Sequence, residues 1–114
     1  MNITGTMVNL PVSNLKEACA WYERVLELPN VPLQPLPYVA EYLIGLMWLQ
    51  LKVSVVDESE NYLRFGVEDI DAEHARLTAL GVPVGPVYRL PGALAYFEFK
   101  DPDGNKLGFY SMLI

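Results

Sequence analysis

The chain is short, acidic and rich in apolar residues. Its 114 residues, of which 52% are hydrophobic, suffice for one buried core, whereas a chain of half this length would be marginal. The formal charge of −6 opposes contact with phosphate backbones, which argues against nucleic acid as a partner. The single cysteine excludes an internal disulfide. Neither a signal peptide nor a membrane-spanning segment is predicted, so we expect a cytoplasmic protein without membrane contact.

The first half of the chain predicts a strand followed by a helix. Apolar residues alternate before Asn14, whose side chain can cap the helix that follows. Charged residues of this helix, among them Glu23, are expected to face water. The apolar residues at helical spacing predict one buried face, made of Leu15, Ala18, Cys19, Tyr22 and Leu26.

A proline-rich connector separates this helix from two further strands. Residues 30–37 contain three prolines, which exclude a helix and predict an extended or polyproline loop. Strands are predicted over residues 38–44 and 46–55, and a charged turn over residues 57–61.

The second half of the chain repeats the beginning of the first. Val-Ser-Asn-Leu at residues 12–15 recurs as Val-Glu-Asp-Ile at residues 67–70, each time after an alternating apolar strand. A second helix is predicted over about residues 71–80, and it stops at Gly81, a residue that accepts a left-handed conformation. Because cap, helix length and stop recur together, we interpret the chain as two related modules.

A hairpin closes the chain. After a weaker strand over residues 84–90 and a turn at residues 91–92, a strand is predicted over residues 93–100. The sequence Asp-Pro-Asp-Gly-Asn at residues 101–105 then predicts a tight turn, because its residue types favour turn conformations and bond their own backbone. One face of the two arms is apolar, with Phe97, Phe99, Leu107 and Phe109. The other face holds Glu98, Lys100, Lys106, Gly108 and Tyr110.

The closing turn and the internal repeat resemble the vicinal oxygen chelate superfamily, which includes glyoxalase I, extradiol dioxygenases and bleomycin-resistance proteins. The resemblance covers nearly the whole chain and implies an α+β fold. It implies a single domain of two tandem βαβββ modules, at about residues 1–57 and 58–114, which form a curved, cup-like mixed β-sheet with helices on its convex side. The chain departs from the family pattern at Glu27, where many relatives have glycine after the first helix.

The same resemblance implies where a catalytic metal would be held. The four ligand positions of the metal-dependent members fall here on Met7, Gln50, Tyr62 and Gly108, and the last of these is a glutamate in such members. These residues lack the imidazole, carboxylate and thiolate donors that a divalent catalytic metal needs. We therefore predict no metal and no other cofactor. We interpret His74 and Cys19 as packed helix residues rather than as a metal ligand and a nucleophile.

Strand parity places aromatic and charged side chains on the face that would line the cup. Flat rings with polar tips, together with groups of both charges, suit an organic ligand held by stacking and a few directed bonds. The same residues would also suit a protein interface. Arg64 either binds a ligand carboxylate or neutralises Glu98. The predicted ligand-binding residues are Trp48, Gln50, Tyr62, Arg64, Tyr96, Glu98 and Tyr110.

Three functions are compatible with this pattern. The leading prediction is a metal-free protein, similar to the bleomycin-resistance class, that sequesters a small aromatic or cationic organic compound without turning it over. The first alternative is a metal-dependent enzyme of the glyoxalase or dioxygenase type whose ligands lie at other positions. The second is a non-catalytic interaction subunit. We expect a homodimer, because a chain of this size leaves sheet edges to cover.

Overall fold

The computed structural model describes residues 1–54 and 62–113, and the chain divides into two compact units, Met1–Asp57 and Glu58–Ile114. Each unit contains a strand, a helix and three further strands, in that order. The predicted α+β class with two βαβββ modules is thereby confirmed. The charged turn predicted over residues 57–61 lies outside the described residues.

The first unit contains a four-stranded mixed sheet and one helix. Its elements are β1 (Thr6–Val12), α1 (Leu15–Val25), β2 (Leu33–Leu36), β3 (Val39–Ile44) and β4 (Met47–Val53). The strand order is β1-β4-β3-β2, with β1 parallel to β4 and the other neighbours antiparallel. Helix α1 packs against β3 and β4 and buries Ala18, Tyr22 and Val25.

The second unit repeats this arrangement. Its elements are β5 (Tyr62–Gly66), α2 (Ile70–Ala79), β6 (Tyr88–Leu90), β7 (Leu94–Lys100) and β8 (Lys106–Met112). The strand order is β5-β8-β7-β6, with β5 parallel to β8. Helix α2 packs against β7 and β8, where the phenylalanines of the apolar face are buried as predicted. No helix of the described residues is long and apolar enough to span a membrane.

Both helices begin at the predicted caps. The side chain of Asn14 accepts a hydrogen bond of 3.0 Å from the backbone N–H of Glu17. The side chain of Asp69 accepts an equivalent bond of 3.0 Å from the backbone N–H of Ala72. Each cap satisfies one of the donors that a helix start leaves without an intrahelical partner. The repeat seen in the sequence therefore corresponds to a repeated local structure.

Both helices are followed by a residue in the left-handed conformation. Gly81 has a φ of 81° after α2, as the sequence predicted. Glu27 has a φ of 54° after α1, and it is the position where many members of the resembling family have glycine. A left-handed backbone is strained for residues with a Cβ atom, so glycine is favoured at such a position. The family preference thus has a conformational cause that this chain does not follow.

The proline-rich connector contains a strand, so the prediction of a loop over residues 30–37 is wrong for β2. Two residue pairs join β2 to β3 in an irregular antiparallel register. Pro35 is tolerated because an edge strand leaves one row of its N–H groups unpaired. The strand predicted over residues 84–90 is shorter than expected: only β6 is regular, and Val84 forms a single bridge to Phe99.

Two residues of α1 that contact Tyr42 differ from their predicted exposure. Glu23, predicted to face water, is half-buried and accepts a 2.6 Å hydrogen bond from the Tyr42 hydroxyl. Cys19, predicted to be buried, is half-buried and hydrogen-bonded to the same hydroxyl. Burial raises the pKa of Cys19, its bond with Tyr42 lowers it, and the Glu23 charge raises it. The net upward shift favours the protonated thiol, which supports a packing role.

The closing turn is held by the carboxylate of Asp101. Its Oδ1 accepts hydrogen bonds from the backbone N–H groups of Asp103 (2.9 Å) and Asn105 (2.8 Å), and its Oδ2 accepts one from Asn105 Nδ2 (2.7 Å). Asp101 and Asn105 are only 5% and 6% exposed. Gly104 has a φ of 86°, which its lack of a side chain permits. The motif that carries the family resemblance is therefore a structural element of the β7–β8 hairpin.

We expect Asp101→Ala to lower the free energy of unfolding by about 2–4 kcal/mol, because three hydrogen bonds to a buried carboxylate are lost. Chemical denaturation measures this change. Glu68→Ala, which removes an exposed carboxylate of the same unit, is the control and should change stability by at most about 0.5 kcal/mol. Equal losses for the two variants would contradict a structural role for Asp101.

Candidate functional site

The face of each sheet opposite its helix, called here the open face, carries the predicted site residues. In the first unit Leu49 and Leu51 are fully buried, whereas Trp48 and Gln50 alternate with them and are half-exposed. In the second unit Phe97 is buried on the helix side, and its neighbours Tyr96 and Glu98 are half-exposed. The parity predicted from the sequence is confirmed in both sheets.

In the first unit, Gln50 is hydrogen-bonded at both ends of its amide. Its Oε1 accepts a 2.7 Å bond from Asn9 Nδ2, and its Nε2 donates a 2.8 Å bond to Glu41 Oε2. These residues lie directly opposite one another on β1, β4 and β3. Asn9 was not predicted as a site residue. Its pairing with Gln50 in the register of β1 and β4 identifies it as part of this network. The structure places Gln50 in a cross-strand network rather than as an isolated polar group.

Trp48 lies in an apolar part of the same open face. Its register neighbours are Met7 on β1 and Leu43 on β3, which are both exposed. Large apolar side chains that remain half-exposed on one sheet face form a surface suited to stacking against a ligand or a protein. Trp48 and Gln50 thus share a face but have different surroundings.

In the second unit, the guanidinium of Arg64 lies over two tyrosine rings. Its Cζ atom is 5.0 Å from the ring centroid of Tyr62 and 5.0 Å from that of Tyr96. A guanidinium at this distance from a ring face is attracted by the ring quadrupole. We call Tyr62, Arg64, Tyr96 and Gly108 the Arg64 site. The structure therefore brings together three of the predicted site residues. They surround a glycine at a position that, by the family resemblance, holds a metal ligand in metal-dependent members.

Gly108 provides the space that Arg64 occupies. Strand β8 lies between β5 and β7, and Gly108 pairs with Arg64 on one side and with Glu98 on the other. A Cβ atom at Gly108 would lie 3.4 Å from Arg64 Cγ and 3.1 Å from the Phe97 carbonyl oxygen. The absence of a side chain on β8 therefore lets Arg64 extend towards the ring of Tyr96.

Two further tyrosines extend the aromatic surface. Tyr110 lies opposite Tyr96 in the sheet, and its ring covers Gly66, where a Cβ atom would lie 3.1 Å from the hydroxyl oxygen. Tyr88 on β6 pairs with Tyr96 at a centroid distance of 5.4 Å. Tyr88 was not predicted as a site residue. The turn predicted at residues 91–92 would pair Tyr88 with Ala95, whereas the observed turn spans residues 91–93 and pairs Tyr88 with Tyr96.

The open face of the second sheet is locally positive. Of its described side chains, Arg64, Lys100 and Lys106 are positive and Glu98 is negative. Arg64 and Glu98 form no ion pair in the described residues. A shallow pocket of about 250 Å³ lies beside the Arg64 site, and it is lined by Tyr62, Glu98, Phe99, Lys100 and Lys106. The local charge is thus opposite in sign to the net charge of −6.

The residues at the predicted metal positions do not fit a divalent cation. Arg64, itself a cation, covers Gly108, and the ring of Tyr62 lies against Arg64. Gln50 uses both ends of its amide within its own sheet. No group of three or more His, Cys, Asp or Glu side chains converges anywhere in the described residues.

His74 has a packing role on α2. Its Nε2 lies 2.9 Å from the carbonyl oxygen of Gly85, and its ring meets that of Phe97 edge-on at a centroid distance of 4.9 Å. The helix brings this ring to the core side of the sheet, away from the open face. The interpretation of His74 as a packed helix residue is confirmed.

The half-exposed position of Trp48 gives a test of the face assignment. We expect Trp48→Ala to lower the free energy of unfolding by about 1–2 kcal/mol, because the ring is only partly buried. Leu49→Ala, which empties a fully buried position on the adjacent residue, should cost about 2–5 kcal/mol. Thermal and chemical unfolding of both variants compares them. A larger loss for Trp48→Ala than for Leu49→Ala would show that the strand faces the other way.

Comparison with known proteins identifies the family and the fold. A family model described as the Glyoxalase/Bleomycin resistance protein/Dioxygenase superfamily matches residues 37–109. No curated protein matches the sequence. The fosfomycin resistance protein FosX from Listeria monocytogenes has a TM-score of 0.84 at 20% identity, with 100% of this chain and 97% of that chain covered.

Two other solved structures have names that point to different activities. TnmS3, an antibiotic binding protein from Streptomyces sp. CB03234, has a TM-score of 0.83 at 24% identity, with 98% of each chain covered. The lactoylglutathione lyase from Agrobacterium tumefaciens has a TM-score of 0.77 at 21% identity, with 93% of this chain and 91% of that chain covered. Identities this low establish a shared fold, but they do not establish a shared activity. Because the family model spans more than half of the chain, the protein belongs to the Glyoxalase/Bleomycin resistance protein/Dioxygenase superfamily.

Proposed function

We propose that this protein binds a small aromatic organic compound on the open face of its second sheet, without a metal and without turning the compound over. The observation that carries the proposal is the Arg64 site, where an arginine stacked on two tyrosines covers a glycine at a predicted metal position. The fold is shared with a lyase and with an antibiotic binding protein, so the fold alone does not choose between them. The local residues favour binding.

The chemistry of this face suits an aromatic guest. Tyrosine rings supply flat apolar area at a low cost in side-chain entropy, and their hydroxyl groups supply directed hydrogen bonds. The pocket of about 250 Å³ beside the rings has room for a small ring system. We propose Tyr62, Arg64, Tyr96, Glu98 and Tyr110 as ligand contacts, with Tyr88 added from the structure. Trp48 and Gln50 remain proposed contacts on the first sheet.

Catalysis of the metal-dependent type receives no support from the residues at the predicted ligand positions. A metal-bound water or substrate needs an open coordination position on a cation that the protein holds by several donors. Here Gly108 offers no donor, and Arg64 would repel a cation from the space above it. We therefore propose metal-independent binding rather than an oxygenase or lyase reaction.

The proposal predicts that aromatic compounds bind equally well with a chelator and with added Mn²⁺ or Zn²⁺. Single-ring and two-ring aromatic compounds are titrated into the protein. The amide NMR resonances of residues in β5, β7 and β8 should shift. We expect Tyr96→Ala to weaken binding by about 1–3 kcal/mol, the range for loss of a stacking ring. Tyr38→Ala removes an exposed tyrosine of the first unit and should leave the affinity unchanged.

Two outcomes of this titration would contradict the proposal. Binding that appears only after metal is added would favour the enzyme alternative, and the metal content of the purified protein would then identify the ion. An equal effect of Tyr38→Ala and Tyr96→Ala would show that the compounds bind tyrosines nonspecifically. Elemental analysis of the protein as purified, expected to give no stoichiometric Zn, Mn, Fe or Ni, completes the test.

We further propose that the protein forms a homodimer. Strands β2 and β6 are sheet edges, and apolar side chains in the first unit are exposed, with Leu46 at 94% and Val31 at 76%. Exposed edges and apolar groups of this kind are commonly covered by a second copy. Light scattering should give about twice 12.8 kDa over a wide concentration range. A mass of one chain at every concentration would contradict the dimer.

A further inference from the structure

We infer that the bound compound is an aromatic anion and that Arg64 binds its carboxylate, phosphonate or sulfonate group. This inference rests on the proposed function and names the class of ligand. It replaces the cationic guest that the net charge of −6 suggested. All three groups present two or three oxygen acceptors that share a negative charge, attached to an apolar ring.

The N–H donors of Arg64 suit an oxyanion. A guanidinium carries five N–H donors and no acceptor. The two contacts of Arg64 in the described residues are with ring faces, which attract the charge but offer no oxygen lone pair to these donors. No carboxylate of the described residues forms an ion pair with Arg64. A fork of donors is therefore available for an oxyanion, which matches guanidinium geometry in a bidentate contact.

The contacts of the Arg64 side chain favour an ordered conformation before a ligand binds. Its stem lies across Gly108, and its Cζ atom, in a residue that is otherwise exposed, lies 5.0 Å from each of two ring centroids. An arginine that is ordered before binding loses less conformational entropy when the ligand arrives. Both lysine and arginine can lie over a ring face, but only the guanidinium also presents a planar fork of donors to an oxyanion. Arginine therefore combines both contacts at this position.

The charges near Arg64 also favour an anion. Lys100 and Lys106 line the pocket beside the Arg64 site, and Glu98 is the one acidic side chain among the pocket-lining residues. An anion at Arg64 is therefore attracted by further positive groups within the same face, while a cation is repelled by them. Because the chain as a whole is acidic, this positive face is a local feature of the second sheet rather than a consequence of composition.

The ligand geometry follows from these contacts. The oxyanion meets the N–H donors of Arg64, and the attached ring lies against the tyrosines that continue the surface from Tyr96 to Tyr88 and Tyr110. Glu98, which pairs with Gly108 beside the site, would disfavour a second negative group at that end. A compound with one negative group on a flat ring system fits this pattern.

The test uses three probes with one ring system and different charge: naphthoate, naphthamide and naphthylmethylammonium. The complete chain is titrated with each, and amide resonances report the affinity and the site. We expect naphthoate to bind at least about tenfold more tightly than naphthamide, as for a hydrogen bond between charged groups. The ammonium compound should bind most weakly. Raising the salt concentration should reduce the preference for naphthoate.

Variants of Arg64 assign the preference to this residue. Arg64→Gln should lower the affinity for naphthoate to that for naphthamide, with the naphthamide affinity changed by less than about threefold. Arg64→Lys keeps the charge but not the planar fork, so it should retain only part of the preference. Lys16→Gln removes a positive charge from an exposed position on α1. It is the control, and no change in affinity is expected. Circular dichroism checks the fold, and Arg64→Lys decides the question if Arg64→Gln does not fold.

The outcomes distinguish this inference from the proposed function. If all three probes bind equally and shift the same residues of β5, β7 and β8, the protein binds aromatic compounds but the anionic class is overturned. If naphthoate is preferred equally by the protein and by its Arg64→Gln and Arg64→Lys variants, the ligand is anionic but its binding by Arg64 is overturned. If none of the probes shifts any residue of the Arg64 site, both the inference and the proposed function are overturned.

Discussion

The missing side chain at Gly108 is the constraint on which the open face of the second sheet depends. Strand β8 lies between the strands that carry Arg64 and Tyr96, so a side chain longer than that of alanine at this position would lie between them. With glycine there, the arginine crosses the middle strand and lies over both rings. Gly108, where the resemblance implies a glutamate in metal-dependent members, thus leaves room for a cation.

The register of the β7–β8 hairpin makes this arrangement possible. Asp101 fixes the turn through three hydrogen bonds, and the first pair of the ladder is then Lys100 with Lys106. Counting along the strands brings Glu98 opposite Gly108. A slip of one residue would move every side chain to the other face and put phenylalanines in water. The family motif therefore sets which residues share the open face.

Features set by local sequence were predictable, and those set by contacts between distant strands were not. The caps at Asn14 and Asp69 depend on residues within one helical turn, and both were found. Strand β2 was missed because its prolines describe the local backbone, whereas its pairing with β3 is a tertiary contact. The contact of Arg64 with Tyr96 was likewise hidden. Strand parity placed both residues on one face, but their distance depends on the sheet order and on Gly108 between them.

The most direct test of this account is the NMR spectrum of the Arg64 side chain in the ligand-free protein. Protons held over aromatic faces experience ring currents, so the δ-methylene and Nε–H resonances should lie upfield of those of the other arginines. In Tyr96→Leu they should move back towards ordinary values, because one of the two rings is gone. Resonances at ordinary positions that Tyr96→Leu leaves unchanged would show that the guanidinium is not held between the rings, and would contradict the account.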